Sequence, residues 1–277
     1  MKIPFVKMHG AANDFVVIDH RRPFLPEPLT PLMQRLCDRR RGIGADGVLL
    51  IERDSELDFA MRYFNADGCP AEFCGNGARC VARRALELGL GRSGEVRFRT
   101  AVGPKRALGS DGGGIELQFG RVAKSAEPVV VDAAGRSFVG RLIRVGVPHF
   151  VTPVERVEWT PLAEWGPALR HHPGFGPEGA NVDFVARLGP GRIALRTYER
   201  GVEAETLACG SGAMAASLGS MADGDRPPIS VMTAGGDELR VGLTEVGDQV
   251  EVTLMGPAET VHAGEWTGPV PAPAARD

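Results

Sequence analysis

The sequence predicts an α+β protein of two pseudo-symmetric domains from an internal duplication, each a curved, mostly antiparallel sheet wrapped round a central helix. The pattern Cys-Gly-x-Gly-Ala occurs at Cys74–Ala78 and again, 135 residues later, at Cys209–Ala213. Further matches recur at the same offset without a gap: Tyr63 with Tyr198, Gly44-Ala45 with Gly179-Ala180, and Phe15-Val16 with Phe150-Val151. A repeat of about half the chain indicates a copied domain, since solenoid units are only about 20 to 50 residues long.

The first half, residues 1–118, alternates apolar segments with turn-forming residues and carries Cys74. The predicted elements are two strands within Ile3–Asp19, a helix at Pro31–Arg40, strands at Val48–Ile51 and Asp58–Phe64, a helix over Ala78–Leu90, and strands at Glu95–Thr100 and Ile115–Phe119. A glycine-rich turn at Gly109–Gly114 separates the last two strands.

The second half, residues 119–256, repeats this scheme and carries Cys209. The predicted elements are strands at Ser137–Val145 and Phe150–Val157, a loop at His171–Glu178, strands at Asn181–Arg187 and Arg192–Tyr198, a helix over Ala213–Met221, and strands at Ile229–Thr233, Glu238–Leu243 and Gln249–Leu254. Proline and alanine dominate Pro269–Asp277, which predicts a frayed tail.

Composition excludes several classes of function. A formal net charge of −3 gives no reason to expect nucleic acid or an anionic membrane as a partner, and no stretch has the length of a spanning helix. The N-terminus lacks the apolar segment of a secretion signal, and the five cysteines are odd in number and scattered, so we expect a cytoplasmic protein. The cysteine spacing does not match a zinc site, and none of the four lysines has the context of a pyridoxal phosphate site, so we expect neither metal nor cofactor.

The two repeated cysteines predict a two-thiol site for inverting a carbon centre. Racemisation requires a base on one face of a tetrahedral carbon and an acid on the other, and two thiols related by a duplication supply that pair. Each cysteine precedes glycines and a helix. Because a helix N-terminus offers free N–H groups and a positive dipole end, it favours binding of a carboxylate and is expected to lower the pKa of the thiol.

Other polar residues near these segments have two interpretations. Asn65 ends a strand nine residues before Cys74, and Arg200 with Asn181 offers donors for an acid or amino-acid group. A surface ion pair of Glu199 with Arg200 at a strand end is the simpler alternative. His149 lies beside apolar residues, which is typical of a structural histidine but also of one that tunes a thiol.

The chain resembles the diaminopimelate epimerase family over nearly its whole length. The motifs that carry the resemblance are Lys7-Met8-His9-Gly10 with Asn13-Asp14-Phe15, Gly42-Ile43-Gly44-Ala45-Asp46-Gly47, Phe64-Asn65-Ala66-Asp67-Gly68, Cys74-Gly75-Asn76-Gly77-Ala78-Arg79-Cys80, Tyr198-Glu199-Arg200-Gly201, and Ala208-Cys209-Gly210-Ser211-Gly212-Ala213. The resemblance implies cofactor-independent conversion of LL-diaminopimelate to the meso isomer, in lysine and peptidoglycan precursor synthesis. It also implies a homodimer and a C-terminal strand, within 257–277, that returns to the first domain.

The resemblance also implies roles for individual residues. Cys74 is implied as the base toward the L-configured carbon and Cys209 as the acid, with His149 and Glu199 as candidate thiol activators. The implied substrate-binding residues are Asn13, Asn65, Gly75, Asn76, Asn181, Glu199, Arg200, Gly210 and Ser211. Val147 and Gly47 stand where many or some members have an amide side chain, which predicts one or two missing or water-mediated contacts at the distal end of the substrate.

Two alternatives stay open at this point. A proline or hydroxyproline racemase uses the same two-thiol chemistry, but its ring substrate has no second amino-acid centre for Arg200 and Asn181 to bind. A non-catalytic amino-acid binding protein on the same scaffold needs neither cysteine.

Overall fold

The computed structural model describes residues 1–110, 112–124 and 127–269. The chain divides into two compact units. The first comprises Met1–Gln118 together with the C-terminal segment that begins at Gly256, and the second comprises Phe119–Met255. Most of the segment Pro269–Asp277, and the end of the segment 257–277, lie outside the described residues.

In its described residues, the first unit has two helices, and its other elements are strands. Its elements are β1 (Ile3–Gly10), β2 (Asn13–Asp19), α1 (Thr30–Cys37), β3 (Gly47–Glu52), β4 (Phe59–Asn65), β5 (Pro70–Ala71), α2 (Gly75–Glu87), β6 (Glu95–Thr100), β7 (Gly103–Gly109) and β8 (Ile115–Ala123), which ends in the second unit. After the second unit, β18 (Glu259–Trp266) pairs antiparallel with β1.

The second unit has a matching series of elements. They are β9 (Pro128–Ala133), β10 (Arg136–Val145), β11 (Val147–Pro153), α3 (Leu162–Arg170), β12 (Asn181–Gly189), β13 (Arg192–Glu199), β14 (Ala204–Thr206), α4 (Gly210–Ser220), β15 (Ile229–Met232), β16 (Glu238–Val246) and β17 (Gln249–Gly256). Two short 3₁₀ segments, Val157–Trp159 and Pro173–Phe175, flank α3.

The strand pairings of the two units follow one scheme. In the first unit, β1 pairs antiparallel with β2, β2 parallel with β3, β3 antiparallel with β4, and β4 antiparallel with β5 but parallel with β6. In the second unit, β10 to β15 make the same pairings in the same order. β9 pairs with β10 as β18 pairs with β1. This correspondence confirms the predicted α+β duplication with mostly antiparallel sheets.

The helix that follows each cysteine lies against the strands of its own unit. α2 contacts β1, β2, β3, β6 and β7, and α4 contacts β10 to β13, β15 and β16. Ala78, Val81 and Ala85 of α2 are fully buried, as are Ala213 and Ala216 of α4. Small apolar side chains allow such close approach on several sides, so each helix is central to its unit. Among the described residues, no helix is long and apolar enough to cross a membrane.

Several elements differ from the sequence prediction. β7 was not predicted because Gly103-Pro104 is typical of a turn, yet this strand pairs with β6 from Gly103 to Leu108. α3 was not predicted because Pro167 lies inside it. Gly166 of α3 packs so closely on Tyr198 that an added Cβ would lie 2.4 Å from the ring. Tertiary packing therefore stabilises a segment whose local sequence disfavours a helix.

Candidate functional site

Cys74 occupies the N-terminal end of α2. Its backbone is extended (φ −138°, ψ 122°), and its carbonyl accepts the first intrahelical hydrogen bond from the Ala78 N–H at 2.8 Å. Gly75 and Asn76 form the first turn, where N–H groups have no intrahelical acceptor. The half-buried Cys74 thiol donates to Oδ1 of Asn13 at 3.4 Å. This turn combines a thiol with donors suited to a carboxylate.

Asn13 links the Cys74 thiol to the β1–β2 hairpin. Its Oδ1 also accepts from Nδ2 of Asn76 at 3.2 Å, and its own Nδ2 donates to Oδ2 of Asp46 at 2.7 Å. Because an ionised carboxylate only accepts, Asp46 fixes which way the Asn13 amide points. Ala11 and Ala12 make the tight hairpin turn before Asn13 with φ of 53° and 63°, values uncommon outside glycine, asparagine and aspartate.

Charged side chains hold the Asp46 loop against β2. Arg39 forms ion pairs with Asp14 (2.7 Å) and with Asp46 (2.8 Å), and the buried Lys7 lies 2.6 Å from Asp14. Burial by itself raises the pKa of Asp14, but its hydrogen bonds and charge interactions with Arg39 and Lys7 outweigh burial and hold that pKa well below its usual value. The loop that orients Asn13 is therefore anchored by a charged cluster.

Asn65 and Gly47 lie opposite each other at the end of the β3–β4 pair. Asn65 is exposed, and its backbone N–H donates to the Cys69 carbonyl at 3.0 Å. A Cβ on Gly47 would lie only 2.6 Å from the Phe64 carbonyl oxygen. Backbone packing thus accounts for glycine at position 47 of this chain.

Arg79 is a buried charge in α2 to which the sequence motifs assign no role. It is fully buried, and its guanidinium donates to Oδ1 of Asn76 at 2.9 Å and to the Pro257 carbonyl at 3.3 Å. An added Cβ on Gly10 would lie 3.3 Å from this guanidinium. Arg79 therefore connects the first turn of α2 to the segment that leads into β18.

Cys209 occupies the N-terminal end of α4, as Cys74 does in α2. Its backbone is extended (φ −110°, ψ 112°), and its carbonyl accepts from the Ala213 N–H at 2.9 Å. The Gly212 N–H donates to the sulfur at 3.4 Å, and the Ser211 hydroxyl lies 3.5 Å from the sulfur. Gly210 and Ser211 supply the first turn of this helix.

The pKa of the Cys209 thiol differs in direction from the sequence expectation. Burial raises this pKa well above its usual value, and the negative charges of Glu199 and Asp183 raise it further. The hydrogen bonds from Ser211 and Gly212 act in the opposite sense and are outweighed. The expectation of a lowered pKa was wrong for Cys209 because burial and the two carboxylates outweigh the hydrogen bonds that the first turn of α4 makes to the sulfur.

His149, Asn181 and Arg200 form a continuous chain of hydrogen bonds. The Arg200 N–H donates to Oδ1 of Asn181 at 2.7 Å, and Nδ2 of Asn181 lies 3.3 Å from Nε2 of His149. The Arg200 guanidinium donates to Oε2 of Glu178 at 2.8 Å. Nδ1 of His149 lies 2.7 Å from Oδ2 of Asp183. The structure therefore brings these three predicted residues together, and the simple surface ion pair of Glu199 with Arg200 does not form.

Glu199 is instead bonded to Thr206, whose hydroxyl donates to Oε2 of Glu199 at 2.8 Å. Burial raises the pKa of Glu199, and this effect is larger than the lowering by the Thr206 hydrogen bond and by the nearby His149.

Val147 begins β11, two residues before His149. Among the described residues, no group of three or more histidine, cysteine or acidic side chains is arranged to hold a metal ion.

Asp46, Arg79 and Asp183 had no role assigned to them from the sequence. For Asp46 a signal was present, because it falls on Asn181 at the offset of the duplication. For Asp183 the signal was an acidic residue inside the otherwise apolar strand Asn-Val-Asp-Phe-Val-Ala.

Comparisons with known proteins agree with these motifs. The family model described as diaminopimelate epimerase matches residues 5–124 and 141–261. Diaminopimelate epimerase of Aquifex aeolicus is 40% identical over 272 residues, covering 94% of this chain and 96% of that protein. The enzyme of the same name from Moorella thermoacetica is 37% identical, covering 95% of this chain and 98% of its own.

Solved structures of lower sequence identity share the fold. A hydroxyproline epimerase from Agrobacterium vitis is 20% identical with a TM-score of 0.66, covering 95% of this chain and 92% of that one. A phenazine biosynthesis protein of the PhzF family from Enterococcus faecalis is 15% identical with a TM-score of 0.71, covering 96% and 99%. The sequence matches, over nearly the full length of both partners, show that this chain belongs to the diaminopimelate epimerase family.

Proposed function

We propose that this chain epimerises LL-2,6-diaminopimelate to meso-2,6-diaminopimelate without a cofactor, a reaction that serves lysine and peptidoglycan precursor synthesis. Family membership supports the substrate. The observation that carries the chemistry is the recurrence of one arrangement in both units, a cysteine at the N-terminal end of the central helix. Inversion of a carbon centre needs two proton-transfer groups, and the duplicated fold supplies one from each unit.

The two thiols take complementary roles in this proposal. Cys74 removes the proton from the L-configured α-carbon as a thiolate, and Cys209 delivers a proton to the opposite face as a thiol; the roles exchange in the reverse direction. The raised pKa of Cys209 suits a group that holds its proton until the carbanion forms. His149 and Glu199 are the candidate thiol activators in this proposal, and the negative charge of Glu199 acts on Cys209.

The first turns of α2 and α4 bind the reacting carboxylate in this proposal. The backbone N–H groups of Gly75 and Asn76 in α2, and of Gly210 and Ser211 in α4, stabilise the negative charge that develops during proton removal. Asn13 contacts the substrate beside Cys74, and Glu199 binds the reacting amine. The distal amino-acid centre is bound by Asn65, Asn181 and Arg200.

We also infer that residues 1–118 with 257–277, and residues 119–256, act as the two domains of a cytoplasmic homodimer. A cytoplasmic location fits a reaction that requires two reduced thiols, since the reducing cytosol keeps cysteines free. Cys37, Cys69, Cys80 and Cys209 are free thiols in the structure. Sedimentation equilibrium of the purified chain tests the dimer, and a monomer at micromolar concentration would contradict it.

The test of function is conversion of LL-diaminopimelate by the reduced protein, followed by chiral chromatography with no added metal or cofactor. L-proline and trans-4-hydroxy-L-proline serve as alternative substrates. Accumulation of the meso isomer, lost in Cys74→Ser and in Cys209→Ser, supports the proposal. Conversion of proline instead would indicate a racemase of the related type, and binding of diaminopimelate that survives both substitutions without any turnover would indicate a binding protein.

A further inference from the structure

Asp183 is a carboxylate on β12 whose side chain is fully buried. Its Oδ2 lies 2.7 Å from Nδ1 of His149, and its Oδ1 accepts from the Thr197 hydroxyl at 2.7 Å. Burying an ionisable group at such a position is costly unless its oxygens are hydrogen-bonded, and here both are. The Asp183 carboxylate is therefore a hydrogen-bonded part of the interior of this unit and is not an exposed surface charge.

The hydrogen bonds around His149 determine its tautomer. The Arg200 backbone N–H donates to Asn181, so the atom of the Asn181 amide that receives it is Oδ1. The other amide atom, Nδ2, consequently faces Nε2 of His149 at 3.3 Å and donates to it. Nε2 must then be the unprotonated acceptor, and Nδ1 carries the proton that it donates to Asp183.

The Asp183 carboxylate also packs against Gly212, in the first turn of α4. A Cβ added to Gly212 would be 2.6 Å from Oδ1 of Asp183 and 3.2 Å from Cβ of Cys209. The N–H of this same glycine donates to the Cys209 sulfur. The Asp183 carboxylate and Cys209 thus both pack against Gly212.

We propose that Asp183 is a positioning residue of the epimerase site, which fixes the Nδ1–H tautomer of His149 and places a negative charge behind the Cys209 thiol. The inference rests on the proposed function for its meaning in catalysis, but its geometry does not. Through His149, Asp183 orients Asn181 and the Arg200 backbone. Through its charge, it opposes formation of the Cys209 thiolate, together with Glu199 at the end of β13; His149 on β11 is the third titratable group of this cluster.

The substitution Asp183→Asn removes the negative charge of this side chain but keeps its hydrogen bonds to His149 and Thr197. The amide Oδ1 of asparagine accepts from Nδ1 of His149 as the carboxylate does, and its Nδ2 donates to the Thr197 hydroxyl oxygen. The tautomer is retained while the negative charge is removed. Asp248→Asn is the matched control, because it makes the same change at an exposed turn between β16 and β17.

The readout is the pH dependence of Cys209 alkylation by iodoacetamide in the substrate-free protein, followed by mass spectrometry of the Cys209 peptide. We expect Asp183→Asn to lower the pH midpoint by about one unit or more, a roughly tenfold gain in thiolate fraction below the midpoint, and Asp248→Asn to leave it unchanged. A midpoint in Asp183→Asn equal to that of the wild type would overturn the proposal.

The wild-type protein provides a test that does not depend on the variant folding. Long-range proton–nitrogen NMR of the ¹⁵N-histidine protein, assigned by comparison with His149→Gln, reports which ring nitrogen of His149 carries hydrogen. Protonation at Nδ1 alone supports the proposal, and protonation at Nε2 refutes it. Neither measurement involves substrate, so failure here is distinguishable from failure of the wild type to convert diaminopimelate.

Discussion

Gly212→Ala tests whether the Asp183 carboxylate and the first turn of α4 are as closely packed as the structure indicates. The added Cβ would lie 2.6 Å from Oδ1 of Asp183 and 3.0 Å from the Thr197 hydroxyl, whereas ordinary contact begins at 3.4 Å. The carboxylate or the helix must move by about 0.8 Å. Because the carboxylate is held from two sides by His149 and Thr197, it cannot yield without stretching a hydrogen bond.

The magnitude follows from three contributions. Overpacking costs about 1–3 kcal/mol, and weakening a hydrogen bond to a charged group adds about 1.5 kcal/mol or more. Replacing glycine by alanine inside a helix returns about 1 kcal/mol. We expect a net loss of about 2 kcal/mol, which lowers the thermal midpoint by about 4–8 °C. Displacing Cys209 by several tenths of an ångström should also reduce kcat/KM by about tenfold or more.

Gly77→Ala is the control that the duplication itself provides, since Gly77 falls on Gly212 at the repeat offset. Its added Cβ would meet only side-chain atoms, two methyl carbons of Leu49 at 3.2 and 3.3 Å and the Phe15 ring at 3.4 Å. The Leu49 and Phe15 side chains can shift by the small distance needed, and alanine has a higher helix propensity than glycine. The free energy of unfolding of Gly77→Ala should therefore stay within about 1 kcal/mol of the wild type. Differential scanning calorimetry of both variants measures the contrast, and equal midpoints would refute the packing argument.

Three further predictions use other contacts of the two units. Glu178→Gln should lower KM for diaminopimelate by up to about fivefold, because the exposed Glu178 carboxylate competes with the substrate for the Arg200 guanidinium. An exposed ion pair of this kind contributes at most about 1 kcal/mol. Steady-state kinetics with an unchanged KM would count against this prediction. Arg79→Met should reduce the free energy of unfolding by about 2–4 kcal/mol, since it removes the guanidinium that donates to Oδ1 of Asn76 and to the Pro257 carbonyl. Urea denaturation showing no loss would contradict this. Burial raises the pKa of Glu199 above its ordinary value of 4.5, so the folded protein binds the Glu199 proton more tightly than the unfolded chain does. The wild type should therefore lose stability as the pH rises from 4.5 through the pKa of Glu199 in the folded protein. Glu199→Gln should lack this loss, and parallel plots of thermal midpoint against pH for the two proteins would rule it out.

The sequence was sufficient to predict the duplication and most strands, because alternating apolar residues and identical motifs at one offset are local signals. It was insufficient where packing overrides local preference. α3 forms although it contains Pro167, and β7 forms across Gly103-Pro104 because β6 supplies its pairing partner. The contacts that stabilise α3 and β7 come from other parts of the chain, so the local sequence of neither segment reveals them.

For the candidate site, the sequence predicted that each cysteine adjoins a helix N-terminus, and the structure has both there. It did not predict the direction of the Cys209 pKa shift, which depends on burial and on the nearby charges of Glu199 and Asp183. It also missed Asp183 as the partner of His149, because contacts between β11 and β12 arise only when the strands pair. Electrostatic environment is a property of three-dimensional packing, so motif spacing alone does not determine it.

The central claim is that two different groups handle the proton, one from each unit, and early-time deuterium labelling tests it most directly. The wild type is incubated with LL-diaminopimelate in D2O, and the α-deuterium content of remaining substrate and of meso product is measured at low conversion. With two groups, the product should carry solvent deuterium while the remaining LL substrate stays protiated. Product that retains its original proton, or deuterium that enters both pools equally from the start, would contradict a two-thiol mechanism.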